Sequence, residues 1–183
     1  MFARDLPGGG RLRLLEETDA DELFALVDRN REHLGPWLPW VPLTRSREES
    51  LEFIRLTRRQ LADNDGFQAA IEVDGAIAGM VGFPRVDWNN RATSIGYWLA
   101  GDQQGRGTMT EAVRAFVDHA FAVWGLHRVV IEAATGNARS RAIPQRLGFR
   151  EEGVRRDAER HGEHYLDLVL YALLDSDPRA GLP

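Results

Sequence analysis

The segment Gln104-Gly105-Arg106-Gly107-Thr108-Met109 follows an apolar run and opens an amphipathic one. Its two glycines let the backbone come close to a ligand. Amides at a helix start point outward, with about half a positive charge behind them. This arrangement suits a diphosphate held by backbone amides, by Thr108 and by Arg106. A plain strand-to-helix turn needing positive φ would use the same glycines, and the loop alone leaves both readings open. A dinucleotide fingerprint fails on spacing, because G-x-G-x-x-G would require glycine at Thr110.

A second group lies about thirty residues on. Asn137-Ala138-Arg139-Ser140-Arg141 begins a helical stretch directly after the apolar run His127–Ala134. Asn137 suits a helix N-cap and Ser140 a surface hydroxyl, so each residue alone has an ordinary structural explanation. His161 and His164 could relay a proton, but a lone His-x-x-His is a weak metal pattern and no metal is expected.

Composition narrows the chemistry further. All 23 cationic side chains in the 183 residues are arginine, and there is no cysteine. These two absences exclude Schiff-base chemistry, a Walker phosphate loop, thiol nucleophiles, disulfides and cysteine zinc sites. A formal charge of −5 speaks against a general nucleic-acid partner. The apolar runs are too short or too interrupted to span a bilayer, and Met1–Gly10 lacks a signal-like apolar region, so a cytoplasmic protein without a membrane partner is expected. With 43% hydrophobic and 28% charged residues the chain can bury a core, and residues 1–183 read as one domain.

The elements that must position these residues follow from periodicity. Arg11–Leu15 reads as a strand and about Asp19–Arg31 as a helix. His33–Pro42 is a turn-rich aromatic segment whose prolines forbid a long helix. Ser46-x-x-Glu49 is a capping box opening a helix to about Asp63. Phe67–Val73 and Ala76–Phe83 flank Asp74-Gly75, a hairpin signal. Thr93–Ala100, His127–Ala134, Phe149–Val154 and Tyr165–Leu173 read as strands, with helices over Met109–Trp124 and Ala138–Leu147 and a loose tail from Asp175. The order implies an α/β fold, a mixed sheet with helices on both faces.

Taken together, Q-G-R-G-T-M-T-E-A after Y-W-L and then N-A-R-S-R-A-I-P-Q-R-L-G-F resemble the GCN5-related N-acetyltransferase (GNAT) family. Within it they resemble the ribosomal-protein serine/alanine N-terminal acetyltransferases. The likeness runs from the first strand to Tyr171 and includes HLGPWLPW (His33–Trp40). It implies the GNAT fold, a mixed central sheet of about six to seven strands, and acetyl-CoA as co-substrate.

The resemblance also distributes roles. Gln104, Gly105, Arg106, Gly107, Thr108 and Met109 would hold the pyrophosphate, with Met109 standing where glycine or alanine is usual; only its amide need face the phosphate. Trp98 and Leu99 would offer backbone to the pantetheine arm, as a paired strand does. Asn137 and Ser140 would meet that arm and the thioester sulfur, and Arg141 and Arg146 would add charge near the phosphates. Many members carry a tyrosine acid where this chain has Pro144, and the subgroup points to Ser140 instead. Glu159 matches the subgroup's candidate base and is preferred to Glu163.

The expected reaction is direct acetyl transfer to a primary amine, foremost a protein N-terminal α-amine. An α-amine with pKa about 8 asks little of a base, whereas a lysine amine near 10.4 asks more. Small amines such as an aminoglycoside, polyamine or amino-acid derivative, a longer acyl donor, and a non-catalytic acyl-CoA-binding role are the alternatives. The acidic residues of the first helix could attract a basic peptide, and the subgroup suggests a homodimer.

Overall fold

The computed structural model describes residues 3–178. Strands β1 (Ala3–Leu6) and β2 (Gly10–Leu14) form a hairpin, followed by helices α1 (Ala20–Arg29), α2 (Arg31–Leu34) and α3 (Arg47–Ala62). Next come β3 (Phe67–Val73), β4 (Ala76–Phe83), β5 (Val86–Asp87), β6 (Ala92–Ser94) and β7 (Gly96–Leu99). The chain continues through α4 (Thr108–Asp118), β8 (Arg128–Ala134), α5 (Ala138–Arg146), β9 (Arg150–His161) and β10 (His164–Leu174).

The α/β class and the helices on both faces agree with the sequence. The single central sheet resolves into two five-stranded sheets, β1-β2-β3-β4-β7 and β5-β6-β8-β10-β9. The reason lies inside Thr93–Ala100. Its first part pairs in parallel with β8 (Ser94 opposite Val130), whereas its second part pairs antiparallel with β4 (Trp98 opposite Met80). Ile95 is the joint, and its N–H still reaches the Val130 carbonyl at 2.8 Å.

Strand alternation sorts the core. On β3 and β4, Ala69, Ile71, Val81 and Phe83 face one cluster with Ala112, Phe116, Ile131 and Tyr171. Ala70, Ile77 and Met80 face the other way, against Leu23, Leu26 and Ile54 of α1 and α3. Each large apolar side chain buried this way contributes roughly 1.5–3 kcal/mol, so α4 on one side and the α1–α3 pair on the other are held firmly. Gly79 permits β4 and β7 to meet, because a Cβ there would lie 2.2 Å from the Trp98 carbonyl oxygen.

Two expectations change. The strand read as Phe149–Val154 continues to His161, with a left-handed Asp157 at a register shift, so Glu159 lies on a strand opposite Leu166. The tail is anchored at its start: the Asp175 amide donates to the His127 carbonyl at 3.0 Å, and Asp177 pairs with Arg150 at 3.1 Å. The remainder of that tail, from residue 179, lies outside the described residues. Among the described residues no helix is long and apolar enough to cross a membrane.

Candidate active site

The divergence of β7 from β8 leaves a strip of backbone facing open space. The Ala100 amide donates to the Ala78 carbonyl at 2.8 Å, which fixes the antiparallel alternation. Trp98 and Gly96 therefore exchange hydrogen bonds with β4, while Tyr97 and Leu99 turn their N–H and C=O groups away from it. Among the described residues no strand pairs on that side of β7 beyond Ile95. An extended amide-bearing ligand finds there the edge that a missing strand would have used.

That strip is one wall of a cleft of about 1120 Å³. Trp98, Leu99, Gln104, Gly105, Arg106, Gly107, Thr108, Met109, Asn137, Ser140 and Arg146 all line it, so eleven of the twelve residues expected to bind the cofactor come together. Gly105 and Gly107 both have φ +80°, the left-handed region that only glycine enters freely. Gly107 is the N-cap of α4. The Met109 side chain is 7% exposed and packs in the main core. Methionine at this position is thus accommodated by the core.

The arginines divide. Arg106 lines the cleft and has no ion-pair partner among the described residues. Arg146 donates to Thr110 Oγ1 at 2.6 Å, and Arg139 to Gln104 Oε1 at 2.7 Å. Arg141 is not on the lining. Its guanidinium donates to the Tyr171 hydroxyl at 3.0 Å and to the Thr135 carbonyl at 3.1 Å, which ties α5 to the sheet.

At the start of α5, the Asn137 side chain accepts from the Ser140 amide at 3.1 Å, the N-cap role its type favours. Ser140 Oγ lies 3.3 Å from the hydroxyl of Tyr97, which itself donates to the Ser140 carbonyl at 2.9 Å. Sequence reasoning passed over Tyr97, although its place in Y-W-L, one residue before Trp98, was a signal. Burial pushes the Tyr97 hydroxyl up to about 12, opposed by its hydrogen bond to Ser140 and by the nearby Arg146 charge. Burial thus holds the proton on the phenol, and Tyr97 stands in the cleft as a neutral hydrogen-bonding group.

Glu159 does not line the cleft. It is half-buried on β9, and burial pushes its carboxyl above the usual range; His161 opposes this shift and Glu132 adds to it. His161 is 8% exposed, and its Nε2 has no hydrogen-bond partner among the described residues. A further wall of the cleft comes from the segment after α1. His33, Leu34, Trp37 and Leu38 line the cleft, and the Trp37 ring lies 3.6 Å from where a Cβ on Gly136 would stand.

Most of the acidic residues in and before the first helix are already paired within the chain. Asp19 pairs with Arg13, Glu17 with Arg55, Asp21 with Arg47 and Asp28 with Arg31. Glu22 accepts from the Ile77 amide at 2.6 Å.

With this geometry in place, comparison with known proteins is informative. The Acetyltransferase (GNAT) domain family matches residues 11–150. The YdaF protein of Bacillus subtilis (strain 168) is 42% identical over 164 residues, covering 89% of this chain and 90% of YdaF. The ribosomal-protein-serine acetyltransferase of Escherichia coli (strain K12) is 27% identical over 168 residues, covering 90% of this chain and 93% of its own. Among solved structures, the ribosomal L7/L12 alpha-N-protein acetyltransferase RimL in complex with coenzyme A matches with a TM-score of 0.90 at 28% identity. That match covers 96% of this chain and 100% of RimL.

Proposed function

The chain belongs to the GNAT acetyltransferase family and is an acetyl-CoA-dependent N-acetyltransferase; on that premise we propose that its acceptor is the α-amine of a protein N-terminus, as in its ribosomal-protein-modifying relatives. The acceptor half of this reading rests on those relatives; the donor half is carried by three features that meet in one cleft: the amide-lined loop Gln104–Met109, the open backbone of Tyr97 and Leu99, and the Ser140 hydroxyl.

In this reading the loop amides and Arg106 hold the diphosphate, and the β7 edge holds the pantetheine arm extended. The amine attacks the thioester carbonyl directly, forming the C–N bond. The Leu99 amide, turned to the cleft, donates to the oxygen that gains charge. Glu159, which stands outside the cleft lining, takes the amine proton by way of solvent, and its raised pKa brings it closer to that of an α-amine. As the C–S bond breaks, sulfur leaves with the electron pair and accepts a hydrogen bond from Ser140. The chain has no cysteine, and no partner that would activate Ser140 as a nucleophile lies beside it among the described residues, so the acyl group passes in one transfer. Most of the acceleration then comes from holding the two substrates together. We place this activity in the cytoplasm.

The test incubates the protein with acetyl-CoA and a panel of ribosomal-protein N-terminal peptides, each free or blocked at its α-amine, while thiol release is followed. Release with the free peptides only is expected. Turnover restricted to small amines would overturn the acceptor assignment.

A further inference from the structure

Helix α5 carries Pro144 in its interior. Proline has no N–H, so the carbonyl of Ser140, four residues earlier, has no helical donor. The carbonyl so freed takes another partner, and the Tyr97 hydroxyl supplies it from β7 at 2.9 Å. The phenol has a single proton. With that proton on the Ser140 carbonyl, its oxygen presents lone pairs to Ser140 Oγ at 3.3 Å.

We infer that Pro144, Ser140 and Tyr97 act as one unit: the hydrogen bond missing from the helix recruits the Tyr97 hydroxyl, and Tyr97 sets the direction of the Ser140 hydroxyl for thiolate departure. Tyr97 is then a positioning residue. This inference rests on the reading of Ser140 as the group that meets the leaving sulfur.

A serine in the first turn of a helix has three staggered χ1 wells, and several lead its hydroxyl back to nearby backbone. Tyr97 offers a competing acceptor on the cleft wall, beside the strip to which Leu99 also contributes. When the C–S bond breaks, the negative sulfur is a stronger acceptor than a neutral phenol oxygen, and a short rotation of the Ser140 O–H transfers its hydrogen bond to sulfur. No proton leaves Ser140 or Tyr97. Sulfur carries the electron pair away, and Tyr97 stays on the Ser140 carbonyl throughout.

The test combines Tyr97→Phe, Ser140→Ala, their double variant and Tyr97→Phe with Pro144→Ala, each assayed for kcat, acetyl-CoA KM and Tm. Tyr97→Phe should lower kcat about ten-fold, the order expected when one transition-state hydrogen bond is misdirected, with KM within about two-fold. In the Ser140→Ala background it should lower kcat no further. Pro144→Ala restores the helical N–H, so it should recover the Tm lost in Tyr97→Phe and leave kcat low. An equal kcat loss from Tyr97→Phe with and without Ser140, or recovery of kcat and Tm together by Pro144→Ala, would show a merely structural tyrosine and overturn the inference. If Ser140→Ala alone leaves kcat at the wild-type value, the underlying reading of Ser140 fails, whatever Tyr97 does.

Discussion

His33 and Gln104 meet nitrogen to nitrogen, Nε2 to Nε2, at 2.8 Å, so the first residue of the glycine loop is fastened to α2 across the cleft. Arg139 donates to the Gln104 carbonyl oxygen, which leaves the Gln104 amide nitrogen toward His33. That nitrogen can only donate, so His33 Nε2 is the acceptor of this contact. Asn30 makes a parallel tie through the Gly101 amide at 3.0 Å.

Replacing His33 by alanine should therefore weaken CoA binding although the imidazole need not touch the ligand. One hydrogen bond of this kind corresponds to roughly 2- to 10-fold in affinity. Calorimetric titration with CoA reads it, and an unchanged Kd would mean that the loop holds its shape without this contact.

Arg106 and Arg141 should separate cleanly. Arg106→Ala removes an unpaired cation from the cleft and should raise the Kd for CoA about ten-fold, the order of a charge-assisted hydrogen bond. Arg141→Ala should leave that Kd within about two-fold. It should instead lower Tm by about 2–4 °C, because it unties α5 from Tyr171 and Thr135. Thermal shifts with and without CoA distinguish the two, and matching profiles would refute the division.

Glu159 gives a pH signature with a defined sign. Its folded pKa is raised, mainly by burial, and only the deprotonated form accepts a proton. Activity should fall as pH drops through that raised value, and Glu159→Gln should flatten this limb while lowering kcat. The linkage runs the other way for stability. A carboxyl with a raised folded pKa contributes stability below its unfolded pKa and loses it as pH rises through the folded one. Glu159→Gln should therefore be more stable than wild type at pH 8, with the difference shrinking toward pH 4. Urea titrations at the two pH values check this.

Gly79→Ala should destabilise the fold and the site together. The new methyl would meet the Trp98 carbonyl oxygen at 2.2 Å, so β4 and β7 must part. A loss of about 1–3 kcal/mol is expected by urea unfolding, with weaker CoA binding because the Leu99 edge moves. Normal stability and binding would show that the sheet yields there without cost.

The glycine turn into α4 was legible because glycine spacing and helix onset bear on the same few residues. The hairpin and helices were legible for a related reason: Asp74-Gly75 and Ser46 act through local backbone chemistry. The break at Ile95 was not, since Thr93–Ala100 is uniformly strand-like and only its two partners, far apart in sequence, reveal the split. Arg141 looked like its neighbours Arg139 and Arg146, and only the fold turns it toward Tyr171. Tyr97 was hidden because its partner is a carbonyl that Pro144 frees, a relation between a strand and a helix more than forty residues apart.

The unpaired edge of β7 lies inside the molecule, where the starts of α4 and α5 flank it. At the outside of a sheet such an edge recruits other polypeptides, because it accepts any strand that can lie alongside. Turned into the cleft between β7 and β8, the same backbone is out of reach of another molecule's sheet, so the divergence that opens a ligand site also spares the fold one aggregation-prone edge.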